Sequence, residues 1–508
     1  MRCILDIGPQ SEHTLRSLLA AFLLFLPAAA LAQSTITTSL QPEYAERRAR
    51  FTSGLGDGVI LVLGAREPEK EYIQFFQAPS FHYLTGFREP NSALVMVKRG
   101  GTVRTTLYVP VRDPAREVWT GSRLGVDGVA RVTGVAARPV EELIPALDTL
   151  LRAQPRLMIA TDPGEVERPS WLHPVERLFV DTIRARVPNL EVVDVTQQLQ
   201  QLRAVKSPSE LALIRRAAEL TVLAHREAMQ AAEPGMNEFE LQALIEYTFR
   251  RNGADRPGFA SIVGSGPNST TLHYTTDDRF MQAGETVVID IGALYKGYSA
   301  DVTRTLPVSG TFTREQREIY QVVRDAQAAA ERQVRVGGSA RQMTDSSNAT
   351  LAAGLARIGL IESPDATYAC AADRRCRQAQ LFTIHGLSHG IGLEVHDPEA
   401  WYFTGTFANG SAFTIEPGLY VRANLLEDVI PKTAANEAYR ARLATVLPRY
   451  ANIGVRIEDD YIVTDRGVEW ISRAPREIEE VEQAMRGSYR GPAPRNPALV
   501  ESYRKVVP

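Results

Sequence analysis

Apolar and polar residues alternate in short blocks along the first part of the chain. Val59–Leu63 is a continuous apolar run typical of a buried strand, and residues 93–97 and 105–109 flank Gly100-Gly101 as the two arms of a hairpin. Helical periodicity occurs in two further blocks, residues 140–151 and 175–186. These elements predict an α/β domain over residues 33–205.

The pattern changes near Lys206. Ser207 and Glu210, with a proline between them, form the capping box of a strong helix start. Two more capping pairs follow, Asn237 with Glu240 and Thr313 with Gln316. Apolar strands that carry acidic residues lie between and after these helices. We predict a second domain over residues 206–487 and a proline-containing surface tail over residues 488–508.

Composition narrows the class of protein. A chain of 508 residues exceeds what one core usually organises, and its 44% hydrophobic and 23% charged residues are ordinary globular values. The net charge is −3 and there is no block of lysine and arginine, which argues against nucleic acid or an anionic membrane as a partner. We therefore expect a small or peptidic substrate.

The N-terminus has the features of a secretory signal. Arg16 precedes the apolar run Leu18–Leu26, and Ala30-Leu31-Ala32 offers small residues at a cleavage position. The run is shorter than the roughly 20 apolar residues that span a membrane, although an uncleaved anchor is the alternative. We predict that residues 1–32 are a signal peptide cleaved near Ala32, and that the mature protein is periplasmic or secreted without a stable membrane anchor.

Cysteine usage is compatible with export. Cys3 would leave with the signal, and Cys370 and Cys376 lie close enough in sequence to form a disulfide in an oxidising compartment. Two free thiols are the alternative. A zinc site in this loop is not expected, because no further cysteine or histidine cluster accompanies the pair.

Histidines are concentrated in one stretch. Three of the 8 histidines, His385, His389 and His396, fall between residues 385 and 396. Glycines at 386, 390 and 392 disfavour a helix there, because each costs about 1 kcal/mol relative to alanine. We predict a strand or tight turn that lets the backbone approach a ligand closely. A cluster of buried, hydrogen-bonded histidines is the alternative.

Carboxylates are isolated within later apolar strands. Asp290 is the single charge in the run from Thr286 to Gly292, Glu416 ends a second apolar run, and Glu458 lies inside a third. A buried carboxylate is costly unless it is paired, hydrogen-bonded or bound to a metal. Each of these positions is therefore a candidate ligand.

Asp301 follows Asp290 across a Lys296-Gly297 turn, so a hairpin could bring the two aspartates together. Their odd separation in sequence predicts that a bulge or the turn geometry must place both on one sheet face. A surface ion pair between Asp301 and Arg304 is the alternative.

Strand-borne acids and a histidine cluster together predict a metal site. Oxygen ligands with one imidazole suit Mn²⁺, Co²⁺ or Zn²⁺ and argue against thiophilic metals. Carboxylates that bridge two ions about 3.5–4 Å apart would create a bound hydroxide at neutral pH and stabilise a developing oxyanion. Such a site would perform hydrolysis.

The order Asp290, Asp301, His389, Glu416, Glu458, each within its apolar strand, resembles the five-ligand set of the pita-bread metallopeptidases. That family includes aminopeptidase P, prolidase and methionyl aminopeptidase. The resemblance implies that Asp290 chelates one metal, His389 binds the other, and Asp301 and Glu458 bridge them. Glu416 would be a ligand that also takes a proton from the bridging water. The implied cofactor is a pair of divalent ions, Mn²⁺ first, with Co²⁺ or Zn²⁺ as alternatives.

Further histidines match positions around the family's pocket. His273 matches a substrate-side histidine, and His385 and His396 match those that line the pocket around the scissile bond. An imidazole there could donate to the carbonyl oxygen as it becomes tetrahedral. Arg456 matches a residue that holds the carboxylates of the site or the end of the substrate.

Most of the remaining chain shares the resemblance. Tyr83–Phe87 and Pro110–Glu117 resemble the N-terminal domain of aminopeptidase P. The implied architecture is α/β (α+β), with an N-terminal α/β domain followed by a pita-bread catalytic domain whose curved, mostly antiparallel sheet is flanked by helices. Residues 425–450 and the Cys370–Cys376 loop look inserted relative to the family, and either could reshape the mouth of the site.

The resemblance implies an exported metallo-aminopeptidase. It would hydrolyse the bond between an N-terminal residue and a following proline, using a hydroxide that bridges two metals, and would act as a homodimer or homotetramer. A prolidase limited to Xaa-Pro dipeptides is the nearest alternative. A non-catalytic peptide-binding member of the fold is a second, and the presence of all five candidate ligands argues against it.

Overall fold

The structure, a computed structural model, describes residues 41–68, 74–162, 175–398, 402 and 405–492. The predicted signal peptide lies outside the described residues, as does the predicted tail beyond residue 492. The chain divides into two compact units between Leu199 and Gln200. No helix within the described ranges is both long and apolar enough to cross a membrane.

The first unit is built on one sheet, whose strands are β1 (Gly58–Leu63), β2 (Ala93–Arg99), β3 (Thr102–Val109), β4 (Ala136–Pro139), β5 (Arg156–Ala160) and β6 (Glu191–Asp194). Their order across the sheet is β4-β3-β2-β1-β5-β6. The β1–β2 and β2–β3 pairs are antiparallel, and the other three pairs are parallel. The predicted hairpin about Gly100-Gly101 is confirmed, and both glycines have positive φ, at 55° and 82°.

Helices accompany this sheet: α1 (Gln41–Ser53), α2 (Pro79–Thr85), α3 (Pro114–Thr120), α4 (Gly125–Thr133), α5 (Leu143–Ala153), α6 (Val175–Arg184) and α7 (Thr196–Arg203). A 3-10 turn at Val140–Glu142 precedes α5. Leu147 and Leu151 of α5 are fully buried against Val59 and Leu157, so the apolar runs of the sequence form the core of this unit.

The second unit contains α8 (Pro208–Ala231), α9 (Glu238–Arg251), α10 (Arg314–Glu331), α11 (Ala340–Arg357), α12 (Glu437–Tyr450) and α13 (Ile478–Met485). Short turns lie at Gly266–Thr270, Gln378–Leu381 and Ala434–Asn436, and a π-helix at Leu425–Val429. The three predicted capping boxes, which begin at Ser207, Asn237 and Thr313, are confirmed.

Short antiparallel strands lie among these helices: β7 (Arg256–Pro257), β8 (Ile262–Ser265), β9 (Thr286–Ile291), β10 (Ala293–Tyr295), β11 (Tyr298–Ser299), β12 (Val302–Pro307), β13 (Thr367–Ala371), β14 (Arg374–Arg377), β15 (Ala412–Ile415), β16 (Gly418–Val421), β17 (Ile453–Arg456), β18 (Asp459–Thr464) and β19 (Gly467–Trp470). They pair in the orders β8-β9-β12, β7-β10-β11, β15-β18-β19, β16-β17 and β13-β14. The predicted fold class, with mostly antiparallel sheet and flanking helices in the second unit, is confirmed.

The geometry of the Lys296-Gly297 turn, one of the two predicted explanations, places Asp290 and Asp301 on one sheet face without a bulge between the described strands β9 and β12. β9 and β12 pair with Thr303 opposite Asp290, and β10 and β11 continue the same register to the Lys296-Gly297 turn. Around a two-residue turn, residues directly opposite each other share a face and differ by an odd number in sequence. Asp301 lies two residues from Thr303 and therefore on the same face as Asp290.

The two segments that look inserted pack against each other. Cys370 and Cys376 form a disulfide across the β13–β14 hairpin. Asn436, which belongs to residues 425–450, accepts a hydrogen bond from the Ala369 amide and donates one to its carbonyl, both at 2.9 Å. Residues 425–450 connect β16 to β17 at the strand ends opposite Arg456.

Candidate metal centre

Residues 387–391 of the histidine-rich stretch run along the edge of β15, and the stretch then turns back through bends. Backbone bonds join Ile391 N–H to Ala412, Thr414 N–H to His389, and Glu416 N–H to Leu387, at 2.9–3.1 Å. Gly390 is required there, because a Cβ at this position would lie 2.4 Å from the Asp397 carbonyl oxygen. The predicted strand or tight turn is therefore confirmed, with its close backbone approach.

This pairing brings His389 to carboxylates from other strands. Its Nε2 lies 3.4 Å from Glu416 Oε1, 3.5 Å from Asp301 Oδ2 and 3.8 Å from Glu458 Oε1. Ligand atoms of Asp301, His389 and Glu458 all lie within 4.8 Å of one another. All three side chains are buried. The structure thus gathers four of the five predicted ligands around one point.

Asp290 completes the set from β9. Its Oδ2 accepts a 2.6 Å hydrogen bond from Arg456, while its Oδ1 is buried and has no hydrogen-bond partner among the described residues. In the same part of the chain, Asp301 Oδ1 and Glu458 Oε1 are also buried without a hydrogen-bond partner. Three such oxygens in one place are costly in a protein interior unless a cation or a donor occupies the space between them.

The tautomer of His389 suits a metal ligand. Nδ1 lies 3.1 Å from the Gly390 carbonyl oxygen, which can only accept, so Nδ1 carries the proton and the lone pair of Nε2 faces the carboxylates. Burial, aided by neighbouring His396, lowers the pKa of His389 to about 3. The imidazole is therefore neutral at physiological pH, as coordination requires.

Crowded carboxylates have raised pKa values. Burial, and then the charge of Asp290, raises the pKa of Glu458 to about 8. Burial, and then the charge of Glu458, raises the pKa of Asp301 well above its usual range. The cluster therefore disfavours its own negative charge, and bound cations would relieve this repulsion.

Arg456 ties Asp290 to a hydrogen-bonded chain. Besides Asp290, its guanidinium donates to the Tyr420 hydroxyl at 2.8 Å and the Thr303 hydroxyl at 3.2 Å. The Thr303 hydroxyl donates in turn to Glu458 Oε2 at 2.7 Å. The role expected for Arg456, holding the carboxylates of the site, agrees with these contacts. The sequence analysis missed Tyr420 and Thr303, which are uncharged and lie in strands.

His385 is the last member of this chain of hydrogen bonds, next to Tyr420. Its Nδ1 lies 2.7 Å from the Gly386 carbonyl, so Nδ1 carries the proton, and Nε2 accepts from the Tyr420 hydroxyl at 2.7 Å. Burial, and then the charge of Arg456, lowers the pKa of His385 to about 4. Nδ1 is also 3.5 Å from Glu416 Oε2. His385 is thus a neutral group that links Tyr420 to Glu416.

The two remaining histidines lie at the edge of the cluster. The His396 ring is half-buried, with its centroid 4.0 Å from that of His389. His273 is exposed, next to Leu272, whose carbonyl accepts a 3.3 Å bond from Arg456. Both are therefore near the predicted ligands and outside the buried carboxylate group.

Arg304 has a different role from the one considered from sequence. The alternative of a surface ion pair between Asp301 and Arg304 is wrong. Asp301 is buried, and fully buried Arg304 pairs with Asp459 at 2.6 Å. Arg304 also donates to the carbonyls of Thr303 at 2.8 Å and Glu458 at 2.7 Å. It therefore fixes the backbone of both strands beside the cluster.

Asp459 and Asp397 are buried acids that the sequence analysis missed. Asp459 also receives Arg476 at 2.9 Å and Trp470 Nε1–H at 2.7 Å. Asp397 receives Arg203 at 2.8 Å, and this pair holds the end of the histidine-rich stretch. The signal that revealed Asp290, a charge inside an apolar strand, was also present at Asp459.

Family comparisons agree with this geometry. Residues 212–465 match the model of metallopeptidase family M24, and residues 44–159 match that of the aminopeptidase P N-terminal domain. The Xaa-Pro aminopeptidase of Escherichia coli is 33% identical, over 87% of this chain and 98% of its own. The Xaa-Pro aminopeptidase 3 of Mus musculus is 33% identical, over 80% of this chain and 76% of its own.

Solved structures give the same result. Proline aminopeptidase P II from Yersinia pestis is similar with a TM-score of 0.73 and 30% identity, covering 88% of this chain and 99% of its own. Zinc-substituted Escherichia coli aminopeptidase P in complex with product is similar with a TM-score of 0.72 and 32% identity, covering 88% of this chain and 98% of its own.

Proposed function

This chain belongs to metallopeptidase family M24, in its aminopeptidase P branch, and we propose that it is an exported, two-metal enzyme that removes an N-terminal residue when proline follows. The relatives above are Xaa-Pro aminopeptidases, which supports the choice of substrate. The cofactor we propose is a pair of Mn²⁺ ions, with Co²⁺ or Zn²⁺ as substitutes.

The proposal rests on buried carboxylate oxygens that accept no hydrogen bond from the described residues. Asp290, Asp301 and Glu458 each have one, and they converge with the unprotonated Nε2 of His389. Carboxylates with one imidazole are a donor set suited to divalent ions of this class. When bound, two such ions supply Lewis acidity, which lowers the pKa of water and stabilises negative charge on a scissile carbonyl.

Side chains of this chain would then accept a proton from the attacking water and orient the candidate ligands. Glu416 is the most exposed of the four clustered ligand side chains, at 15%, and its carboxylate faces both His389 and His385. It is therefore placed to take a proton from the attacking water. Arg456 orients Asp290 through a hydrogen bond, and the Tyr420–His385 pair links that arginine to Glu416.

Substrate contacts would fall to the outer histidines. His273 is exposed and His396 half-buried, so both can reach a bound peptide. His385 is buried, and its Nε2 already accepts a hydrogen bond from Tyr420. We therefore assign the hydrogen bond donated to the scissile carbonyl to His273 and His396.

Peptide hydrolysis tests the activity. Metal-free protein should cleave Xaa-Pro-Yaa peptides only after addition of Mn²⁺, Co²⁺ or Zn²⁺, and should leave matched Xaa-Ala-Yaa peptides largely intact. Asp290→Ala and Glu458→Ala should abolish turnover. Glu427→Ala, which removes an acid that is 67% exposed in the same unit, should not. Cleavage confined to Xaa-Pro dipeptides would instead identify a prolidase.

Export and assembly are tested separately. Residues 1–32 have the features of a signal peptide, and the Cys370–Cys376 disulfide suits an oxidising compartment. N-terminal sequencing of the mature protein should begin near Gln33, and an uncleaved chain retained in the membrane would refute export. We expect a homodimer or homotetramer by light scattering, and a monomer would refute that assignment.

A further inference from the structure

Thr414 and Asp460 form a buried polar pair beside the predicted ligands. They lie directly opposite each other in the antiparallel β15–β18 pair, and both are fully buried. Side chains alternate along a strand, so this pair shares a face with Glu416, two residues after Thr414, and with Glu458, two residues before Asp460. Asp459, between them, points to the other face and binds Arg304.

Each member of the pair holds the backbone of a ligand. The Thr414 hydroxyl accepts the His389 N–H at 3.3 Å, and the Thr414 amide donates to the His389 carbonyl at 2.9 Å. The two carboxylate oxygens of Asp460 accept the Asp301 N–H at 3.1 and 3.3 Å. One cross-strand pair therefore fixes two ligands that come from segments far apart in sequence.

Backbone fixation matters for a ligand as short as aspartate. Asp301 lies between β11 and β12, outside the regular ladder, so its amide has no cross-strand carbonyl and depends on Asp460. His389 likewise lies outside the named strands, and both of its backbone groups bond to Thr414: its N–H to the hydroxyl and its carbonyl to the amide. A small change in the backbone torsion angles of Asp301 or His389 would displace the ligand atom of that residue by a large fraction of a metal–ligand bond length.

We propose that Thr414 and Asp460 are positioning residues for metal binding: they set the backbones of His389 and Asp301 so that both ligand atoms point at the same ion. The inference rests on the proposed function, because it concerns the same metal site. It adds two residues that touch neither substrate nor metal and act through the ligands.

Paired substitutions separate this role from general stability. Thr414→Val keeps the shape and removes the acceptor, whereas Thr414→Ser keeps the hydroxyl. Asp460→Ala removes the acceptor, whereas Asp460→Asn keeps one carboxamide oxygen for the Asp301 amide. Thr221→Val is the matched control, because buried Thr221 accepts the N–H of Ala293 at 3.0 Å in the same unit, and Ala293 is not a candidate ligand.

The measurement is calorimetric titration of metal-free protein with Mn²⁺, alongside the melting temperature of the metal-free form. Outer partners of metal ligands typically change affinity about 10- to 100-fold when removed. We expect Thr414→Val and Asp460→Ala to weaken Mn²⁺ binding by about tenfold or more, and Thr414→Ser and Asp460→Asn to stay within about threefold of wild type. Thr221→Val should lower the melting temperature and leave Mn²⁺ affinity unchanged.

Two outcomes would overturn the proposal: wild-type affinity in Thr414→Val, or an Asp460→Asn variant as weak as Asp460→Ala, which would assign the effect to charge. If Asp460→Ala does not fold, the Thr414 variants decide alone. A wild-type protein that binds none of Mn²⁺, Co²⁺ and Zn²⁺ refutes the proposed function instead, so the two failures are distinguishable.

Discussion

Replacing Asp277 with asparagine should stabilise this protein at alkaline pH. Asp277 is 1% exposed, accepts the Val263 N–H at 3.1 Å through Oδ1, and has no hydrogen-bond partner for its buried Oδ2. Its φ of 49° is a left-handed conformation that asparagine also tolerates. The Asp277→Asn side chain would keep the acceptor for Val263 and remove a buried charge.

The magnitude follows from the pKa. Burial, and then the charges of Glu238 and Glu246, raises the pKa of Asp277 from 3.8 to about 7. The folded state therefore favours the protonated form, and its stability falls as pH rises from about 4 towards 7 and stays low above 7. A shift of three units is worth about 4 kcal/mol at full effect. Glu246 reaches solvent and is screened, so we expect about 2 kcal/mol at pH 8.

Chemical unfolding of metal-free wild type and Asp277→Asn at pH 5 and pH 8 provides the assay. The gain from the substitution should be larger at pH 8 by about 1–2 kcal/mol, because wild-type Asp277 carries a full charge in the folded state only at the higher pH. Asp278→Asn, an exposed neighbour, serves as the control. An equal gain at both pH values, or a loss at pH 8, would refute the assignment of a buried, electrostatically strained carboxylate.

Three other predictions concern the second unit. Arg304→Met should cost about 3 kcal/mol at pH 7.5 and less at pH 5, since Asp459 would keep Arg476 but lose Arg304 and could then take up a proton more readily. Arg304→Met/Asp459→Asn should recover part of that loss in the same unfolding assay. Arg456→Lys should lower kcat by about tenfold or more in peptide hydrolysis, because an ammonium cannot hold Asp290 and the neighbouring hydroxyls in one plane; unchanged kcat would contradict the contacts seen. Replacing Cys370 and Cys376 with serine should lower stability by roughly 2 kcal/mol, as expected for a short loop, without changing Mn²⁺ affinity in calorimetry.

Sequence patterns correctly predicted features that depend on residues close together in the sequence. The capping boxes at Ser207, Asn237 and Thr313 satisfy amides within one helical turn, so residue types three apart determine them. The candidate ligand Asp290 could be found because a charge inside an apolar strand needs a compensating partner, whichever partner it is.

Positioning contacts could not be derived in this way. Tyr420 binds both His385 and Arg456, and those two partners belong to segments that only the folded chain brings together. Thr303 is an ordinary strand residue by composition, although it holds Glu458. For Asp290 and Asp301 the sequence left a bulge and the turn geometry as alternatives, because it does not give the register in which β9 and β12 pair.

The spread of the candidate ligands along the chain has a consequence for biosynthesis. Asp290 and Glu458 belong to segments separated by most of the second unit, and Asp301 depends on Asp460 for its backbone amide. A growing chain that ends before Glu458 lacks both that candidate ligand and the group that orients Asp301. In the proposed metal site the full ligand set would therefore form only after this part of the chain is synthesised and folded, so ions would bind a formed site and would not nucleate the fold.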